Sequence, residues 1–109
     1  MLIVDDIYND LVANNFEAAV WVDDTRVVLF GGEKETYLRD WVEIQYNSLF
    51  MALRAKRNAL LKESDYTQNS DALVDSDSWA VYRQQLRDFP ETINSFEELQ
   101  RPTWPIPPV

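Results

Sequence analysis

The feature that most constrains this chain is the stretch from Glu33 to Lys62, which contains neither glycine nor proline. Apolar side chains recur along it at spacings near three and four, the pattern of an amphipathic helix. The stretch is well above the average helix length, so it predicts either one extended helix or a helix broken near residues 45–48. The apolar positions are Leu38, Trp41, Val42, Ile44, Leu49, Phe50, Leu53, Leu60 and Leu61.

The segment before this helix predicts a short helix followed by a β-hairpin. Acidic caps and apolar spacing favour a helix from about Asp6 to Asn14. Two runs rich in β-branched residues, Val20–Val22 and Val27–Phe30, flank the turn sequence Asp23-Asp24-Thr25. The adjacent glycines 31 and 32 end the second strand and lead into the long helix.

The segment after the long helix predicts a helical hairpin and an extended tail. Residues 64–77 are a polar loop, and Asp75 or Ser76 is a suitable N-cap for the next helix. That helix is expected to run to about Phe89 and to stop at Pro90. Residues 92–100 could add one short helical turn, and residues 101–109 should be polyproline-like. The apolar stripe of the second helix is Trp79, Tyr82, Leu86 and Phe89.

These elements together predict an α+β fold. It would have a small N-terminal β-hairpin, a long helix, a C-terminal helical hairpin and an extended proline-rich tail. Residues 1–50 would form an N-terminal α/β part and residues 51–109 the helical hairpin with its tail. We expect the two parts to fold as one structural unit, because no convincing linker separates them.

The residue types argue against an enzyme. The chain has no cysteine and no histidine, which removes the thiol nucleophile, the commonest general base and the commonest metal ligand. It has no glycine-rich phosphate loop. Paired acids such as Asp5-Asp6 and Asp75–Asp77 are better explained as helix caps than as catalytic carboxylates. We therefore predict no catalytic residue, no cofactor and no metal site.

The charge distribution also limits the partners. The net charge is −9, and residues 1–50 carry three basic and ten acidic side chains. A nucleic-acid-binding surface needs clustered lysine and arginine, so nucleic acid is not an expected partner. No apolar stretch is long enough to span a bilayer, so we expect no membrane association.

The four tryptophans have two expected roles. Trp21, Trp41 and Trp79 each lie within an apolar pattern, which favours packing in the core. Trp104 lies in the proline-rich tail, where it could be presented to a partner or could fold back onto the protein's own helices. The sequence favours neither alternative.

Residues 54–108 resemble a known family. The segment combines a basic helix, a loop of Ser-Asp-aromatic-Thr-Gln, a helix with Trp and Tyr-Arg, and a Trp-Pro tail. In this order they are typical of the phage tail assembly chaperone family, although Tyr66 stands where that family usually has Trp. The matching positions are Arg57, Leu60-Leu61, Ser64–Gln68, Asp71, Trp79, Tyr82-Arg83, Leu86–Asp88, Pro90 and Thr103–Pro108.

The resemblance implies a bacteriophage protein that binds a tail-fibre or other tail protein and assists its folding or assembly. Several copies could bind where the fibre is trimeric. It would act in the host cytoplasm during assembly, and retention in the virion tail is an alternative. The residues expected to contact the partner are Trp104, Pro105, Trp79, Tyr82, Arg83, Arg87 and Tyr66.

Two other interpretations accompany this one. The same chain could be a permanent virion component, such as a cap, collar or adaptor on the fibre, and a glycan-binding module is a weaker alternative. The charged residues also have a structural explanation, which we favour over partner binding. Asp65 and Thr67 can cap the end of the first helix, and arginine heads can pair with nearby acids. The arginines are Arg57, Arg83 and Arg87, and the acids are Asp65, Asp71 and Asp88.

Overall fold

The computed structural model describes residues 1–108 and confirms the α+β class. One antiparallel β-hairpin is accompanied by four α-helices and a short 3-10 helix in this part of the chain. The backbone forms two compact units. The first comprises residues 2–48, and the second comprises Met1 and the chain from Leu49 onward.

Helix α1, Val4–Ala13, opens the first unit and confirms the predicted N-terminal helix. It begins two residues earlier than expected because the Asp6 carboxylate accepts a hydrogen bond from the Ile3 N–H at 3.0 Å. Such a bond satisfies a backbone donor that has no partner inside the helix. The carboxylates of the first turn also complement the helix dipole.

The hairpin consists of β1, Ala19–Val22, and β2, Thr25–Val28. Asp23 and Asp24 form the turn, with φ values of +48° and +63°. Positive φ at both central residues is the geometry whose twist matches that of the paired strands. Thr25 is therefore the first residue of the second strand, not part of the turn, and that strand ends at Val28 instead of Phe30.

Helix α2, Gly31–Glu63, is continuous, so the extended helix is correct and no break occurs at residues 45–48. It begins at Gly31, whose φ of +59° would strain any residue with a Cβ atom. The helix contributes buried residues to both units: Leu38 and Val42 to the first, Phe50 and Leu53 to the second.

The core of the first unit is small. Tyr8 of α1, Ala18 beside β1 and Leu38 of α2 form a buried cluster, and Leu29 packs against it. The hairpin segment contributes Ala18, which lies just before β1, and none of the eight strand residues is buried. Trp21 of β1 is 73% exposed. Its predicted place in the core is therefore wrong.

Two polar contacts hold α1 against α2 within this unit. The Tyr46 hydroxyl donates to the Leu2 carbonyl at 3.0 Å. The Arg39 guanidinium pairs with Asp5 at 3.1 Å and lies 4.2 Å from the centre of the Tyr8 ring. These contacts hold the N-terminal half of α1, although the Arg39 pair is exposed and adds little free energy.

The second unit continues from the end of α2 into a 3-10 helix, Asp65–Gln68, and then α3, Ser76–Thr92. The 3-10 helix lies within the segment expected to be a loop. Pro90 does not stop α3, which continues to Thr92. A proline removes one hydrogen bond from a helix. Only two residues of α3 follow Pro90, so the helix loses little by continuing past it. Pro90 is buried, so its ring also contributes to packing.

Helix α4, Phe96–Gln100, confirms the short helical turn, and residues 102–108 form no regular secondary structure. The Ser95 hydroxyl accepts the Glu98 N–H at 3.1 Å and caps this helix. The core of the unit is apolar apart from three side chains, Ser64, Thr67 and Arg83. Besides Pro90, its buried apolar residues are Phe50, Leu53, Tyr82, Leu86, Phe89, Ile93 and Leu99.

Candidate partner-binding site

The side chain of Arg83 joins α3 to the end of α2. Its Nη1 donates to the Leu61 carbonyl at 2.6 Å and to the Ser64 hydroxyl at 2.8 Å. Its Nη2 donates to the Asp65 carboxylate at 2.7 Å. The side chain is 11% exposed, whereas that of Asp65 is 66% exposed. Arg83 is therefore a buried tie between the two helices, and its pairing with Asp65 confirms one of the predicted ion pairs.

One atom of this tie lacks a partner. Arg83 Nε is buried and makes no hydrogen bond to any atom of residues 1–108. Burying a donor without a partner opposes folding. The three bonds of the two terminal nitrogens must more than offset that cost for the side chain to stay buried.

Hydroxyl groups close the turn that follows α2. The buried Thr67 hydroxyl donates to the Ser64 carbonyl at 2.6 Å, which confirms the expected capping role of Thr67. The Ser64 hydroxyl donates to the carbonyl of Leu60 at 2.8 Å. These bonds satisfy carbonyls that the end of a helix leaves without partners. The turn thereby presents Tyr66 outward, where its side chain is 55% exposed.

Of the two residues predicted as possible N-caps, Asp75 and Ser76, it is Asp75 that caps α3. Its carboxylate accepts the N–H groups of Asp77 and Ser78 at 3.2 and 3.4 Å and the Ser78 hydroxyl at 2.7 Å. The hydrogen bonds from Ser78 are the main cause that lowers the pKa of this carboxyl below 3.8. The cap sets where α3 starts and therefore where Trp79 is placed.

Trp79 and Tyr66 line one small depression with an aromatic floor. The Trp79 and Tyr82 rings meet edge to face, with centroids 5.6 Å apart and an interplanar angle of 84°. Burial, and secondarily the Glu63 carboxylate, raise the pKa of the Tyr82 hydroxyl. Pro107 of the tail also lines the depression, which has a volume of about 210 Å³. This depression therefore combines residues of α2, the 3-10 helix, α3 and the tail.

Trp104 lies against α3. Its ring centroid is 4.5 Å from that of Phe89, and Lys56 Nζ lies over the Trp104 ring, 4.7 Å from its centroid. Of the two alternatives for this residue, the ring thus folds back onto the protein's own helices. It remains half-buried, so part of the ring is still accessible.

A wider groove runs beside Trp104. It has a volume of about 660 Å³ and lies between α3 and the tail. Phe89 and Trp104 provide its apolar surface, and Ile106, which is 85% exposed, stands at its edge. The other lining residues are Gln85, Asp88, Thr92, Thr103 and Pro105.

The unit that contains the small depression and the groove beside Trp104 matches a known protein family. The family model described as "Phage tail assembly chaperone protein" matches residues 50–109, a little over half of the chain. The chain belongs to the phage tail assembly chaperone family. The match confirms the resemblance seen in residues 54–108. Neither the curated proteins nor the solved structures gave a significant match.

Family membership gives this chain a role in phage tail assembly and indicates a non-enzymatic one. No helix within residues 1–108 is long and apolar enough to cross a membrane. The family match begins at residue 50, so it covers almost all of the second unit and no residue of the first. Residues 1–49 lie outside it.

The residues predicted to contact a partner fall into three places on this tail assembly protein. Tyr66, Trp79 and Tyr82 line the small depression, with the buried Arg83 holding the turn beside it. Trp104 and Pro105 line the wider groove. Arg87 is exposed on α3 and donates to Gln84 at 3.3 Å, not to an acid. Arg57 likewise bonds Asn58 and forms no ion pair within the described residues.

Sequence reasoning missed three residues that complete these surfaces. Ile106 and Pro107 lie within the tail that the resemblance covers. Their apolar character, so close to Trp104 in the sequence, could have indicated that they extend its surface. Lys56 could not be found this way, because nothing in a run of basic residues on α2 marks the one that lies against a ring 48 positions later in the sequence.

Proposed function

We propose that this protein binds the tail-fibre protein of its phage and assists its folding or assembly. The observation that carries the proposal is that the family match and the groove beside Trp104 lie in the same compact unit. The partner would be a part of the fibre that exposes apolar side chains before assembly is complete. The protein would act in the host cell while the fibre is being made.

The chemistry of the groove supports an apolar partner surface. Burying apolar area releases about 25 cal/mol per Å², and aromatic rings supply the largest areas. Ile106 at 85% exposure and Tyr66 at 55% exposure have most of that area still available. The flanking prolines restrict the tail before binding, so little conformational entropy is lost when a partner orders it.

The predicted site residues would have different roles in this binding. Trp104, Pro105, Tyr66 and the edge of Trp79 would contact the partner directly. Tyr82 and Arg83 are buried at 5% and 9% exposure, so we propose that they position the aromatic floor and the turn. Arg87 would pair with an acidic residue of the partner at the edge of the contact. Its guanidinium is exposed, and its only hydrogen-bond partner among the described residues is neutral.

Co-expression with the tail-fibre protein tests the proposal. We expect the fibre protein to gain soluble yield or to co-purify with this chain. Ile106→Glu should abolish that effect, because it places a charge at the groove edge without disturbing the core. Ile44→Glu is the matched control, since Ile44 is a 65% exposed isoleucine of the first unit. The proposal fails if the two proteins neither co-purify nor affect each other's solubility.

Two further measurements refine the result. Ending the chain after Arg101 removes Trp104 and should weaken the effect, whereas an unchanged effect would leave Trp104 with a purely internal packing role. Mass spectrometry of purified virions separates an assembly factor from a permanent component. Absence of the chain supports the assembly role, and abundance equal to that of the fibre supports the cap, collar or adaptor.

A further inference from the structure

The first unit carries an aromatic groove of its own, outside the region matched by the family model. The groove lies between the face of the hairpin that carries Trp21 and the N-terminal part of α2 and has a volume of about 380 Å³. Its floor is formed by Phe16 and Trp41, whose rings stack with centroids 6.5 Å apart and an interplanar angle of 26°. Trp21 at 73% exposure and Tyr37 at 37% exposure form its walls.

The strand register explains why Trp21 and Arg26 both line the groove. Trp21 is paired with Arg26, so both side chains project from the same face of the hairpin. Glu17 lies on this face too, two positions before Ala19, and its carboxylate pairs with Arg26 at 2.5 Å. Ala18, just before β1, packs in the core, but no strand residue is buried, and Val22 and Val27 on the opposite face are 52% and 39% exposed. The groove therefore lies where the face that carries Trp21 and Arg26 meets Tyr37 and Trp41 of α2.

The charge of this unit indicates what the groove would accept. Residues 2–48 contain ten acidic and three basic side chains, a net charge of −7. Two of the three basic residues, Arg26 and Arg39, are already paired with Glu17 and Asp5. An anionic ligand would be repelled, whereas arginine or lysine side chains would be attracted.

The aromatic lining favours the same class of ligand. Cations bind over the faces of aromatic rings, tryptophan most strongly, and extended proline-spaced peptides dock in grooves lined by such rings. The unit already contains one example of the first contact, since the guanidinium of Arg39 lies 4.2 Å from the centre of the Tyr8 ring. The groove thus combines aromatic rings with a single lining acid, Glu17, which is paired with Arg26, within a unit whose net charge is −7.

We propose that this groove binds an extended, arginine- or lysine-bearing segment of a partner protein. The site is separate from the groove beside Trp104, and it does not depend on the fibre-binding proposal. It gives the chain a second attachment point, in the part that the family model does not cover.

Titration of the full-length chain with synthetic decapeptides tests this inference. The probe is (Arg-Pro)₅, compared with (Gln-Pro)₅ and (Glu-Pro)₅, which share its extended backbone. We expect only the arginine peptide to show saturable binding. NMR signals of the four indole N–H groups monitor it. The signals of Trp21 and Trp41 should shift, and those of Trp79 and Trp104 should not.

Two pairs of variants distinguish the groove from general charge attraction. Trp21→Ala should weaken binding about tenfold, equal to about 1.4 kcal/mol, whereas Phe30→Ala should change it less than twofold. Phe30 is a suitable control because it is 77% exposed in the same unit and does not line the groove. Glu17→Gln should weaken binding more than Asp10→Asn, which changes the net charge equally at an exposed position of α1.

Several results would overturn the inference. These are equal effects within either pair of variants, equal binding of the three peptides, or shifts at all four indoles. Self-association of the chain that Trp21→Ala abolishes would also overturn it, because the occupant would then be a second copy. Trp21 is mostly exposed, so the Trp21→Ala chain should keep its fold, and its melting temperature checks this.

Discussion

Replacing Arg83 by methionine should destabilise the second unit more than any other single charge removal in it. Methionine keeps most of the apolar stem of the side chain and removes the guanidinium, so packing is largely retained. The change deletes the hydrogen bonds to the Leu61 carbonyl, the Ser64 hydroxyl and the Asp65 carboxylate. It also removes the buried Nε, which has no partner among residues 1–108.

The expected magnitude follows from these contacts. A hydrogen bond from a charged donor contributes about 1.5–3 kcal/mol, and a buried donor without a partner costs about 1–3 kcal/mol. Leu61 and Ser64 keep other bonds to each other, since the Ser64 hydroxyl also donates to the Leu61 carbonyl at 3.1 Å. We therefore expect the free energy of unfolding to fall by about 2–3 kcal/mol. The melting temperature should fall by about 10–20 °C.

Urea titration followed by circular dichroism measures this loss, and amide hydrogen exchange places it. The Thr67 N–H, which donates to the Ser64 carbonyl at 3.1 Å, should exchange faster in the variant. Asp65→Asn should cost less than about 1 kcal/mol, because that carboxylate is mostly exposed. Arg87→Met is the matched control and should lie within about 0.5 kcal/mol of the parent. A cost for Arg83→Met no greater than for Arg87→Met would refute the buried-tie interpretation.

Three further predictions concern packing and pH. Phe50→Ala should cost about 3–5 kcal/mol in urea titration, because that ring is 1% exposed; a cost below that of an Ile→Val change would contradict its place in the core. Trp104→Ala should cost about 2 kcal/mol and the exposed Trp21→Ala less than about 0.5 kcal/mol; equal costs would show that the tail does not pack on α3. The folded-state pKa of Asp75 is lowered from 3.8, so its cap stabilises fully above that value and is lost as the pH falls through the lowered pKa. Below pH 3.8 the melting temperature of the Asp75→Asn variant should therefore fall less steeply with decreasing pH than that of the parent. Identical slopes in the two proteins would contradict a contribution of the Asp75 carboxylate to stability.

Features encoded by short stretches of sequence were predictable. The N-cap at Asp75 depends on a side chain and the N–H groups two and three residues later. The turn at Asp23-Asp24 depends on two residues that tolerate positive φ. The uninterrupted periodicity from Glu33 to Lys62 likewise placed α2, which begins two residues earlier and ends one residue later.

Features that depend on tertiary contacts were not predictable in the same way. The sequence could not tell which of three arginines would pair with the acids of the helical hairpin. The fold places Arg83 against the end of α2, whereas Arg57 and Arg87 hydrogen-bond to neutral side chains. Trp21 lies in an apolar strand, but none of the eight residues of the two strands is buried, so a pattern of apolar residues could not assign its burial. The position of Trp104 required knowing that Phe89 faces the tail.

The tie made by Arg83 also bears on how the second unit folds. It closes a loop of 22 residues to Leu61, and loops of about ten residues close within about 10–100 ns. The contact between Phe89 and Trp104 closes a second short loop, which brings the tail onto α3. Contacts between residues close in sequence favour fast folding, so we expect this unit to fold rapidly. Until the tail docks, the Phe89 side of α3 is uncovered and open to apolar segments of other chains.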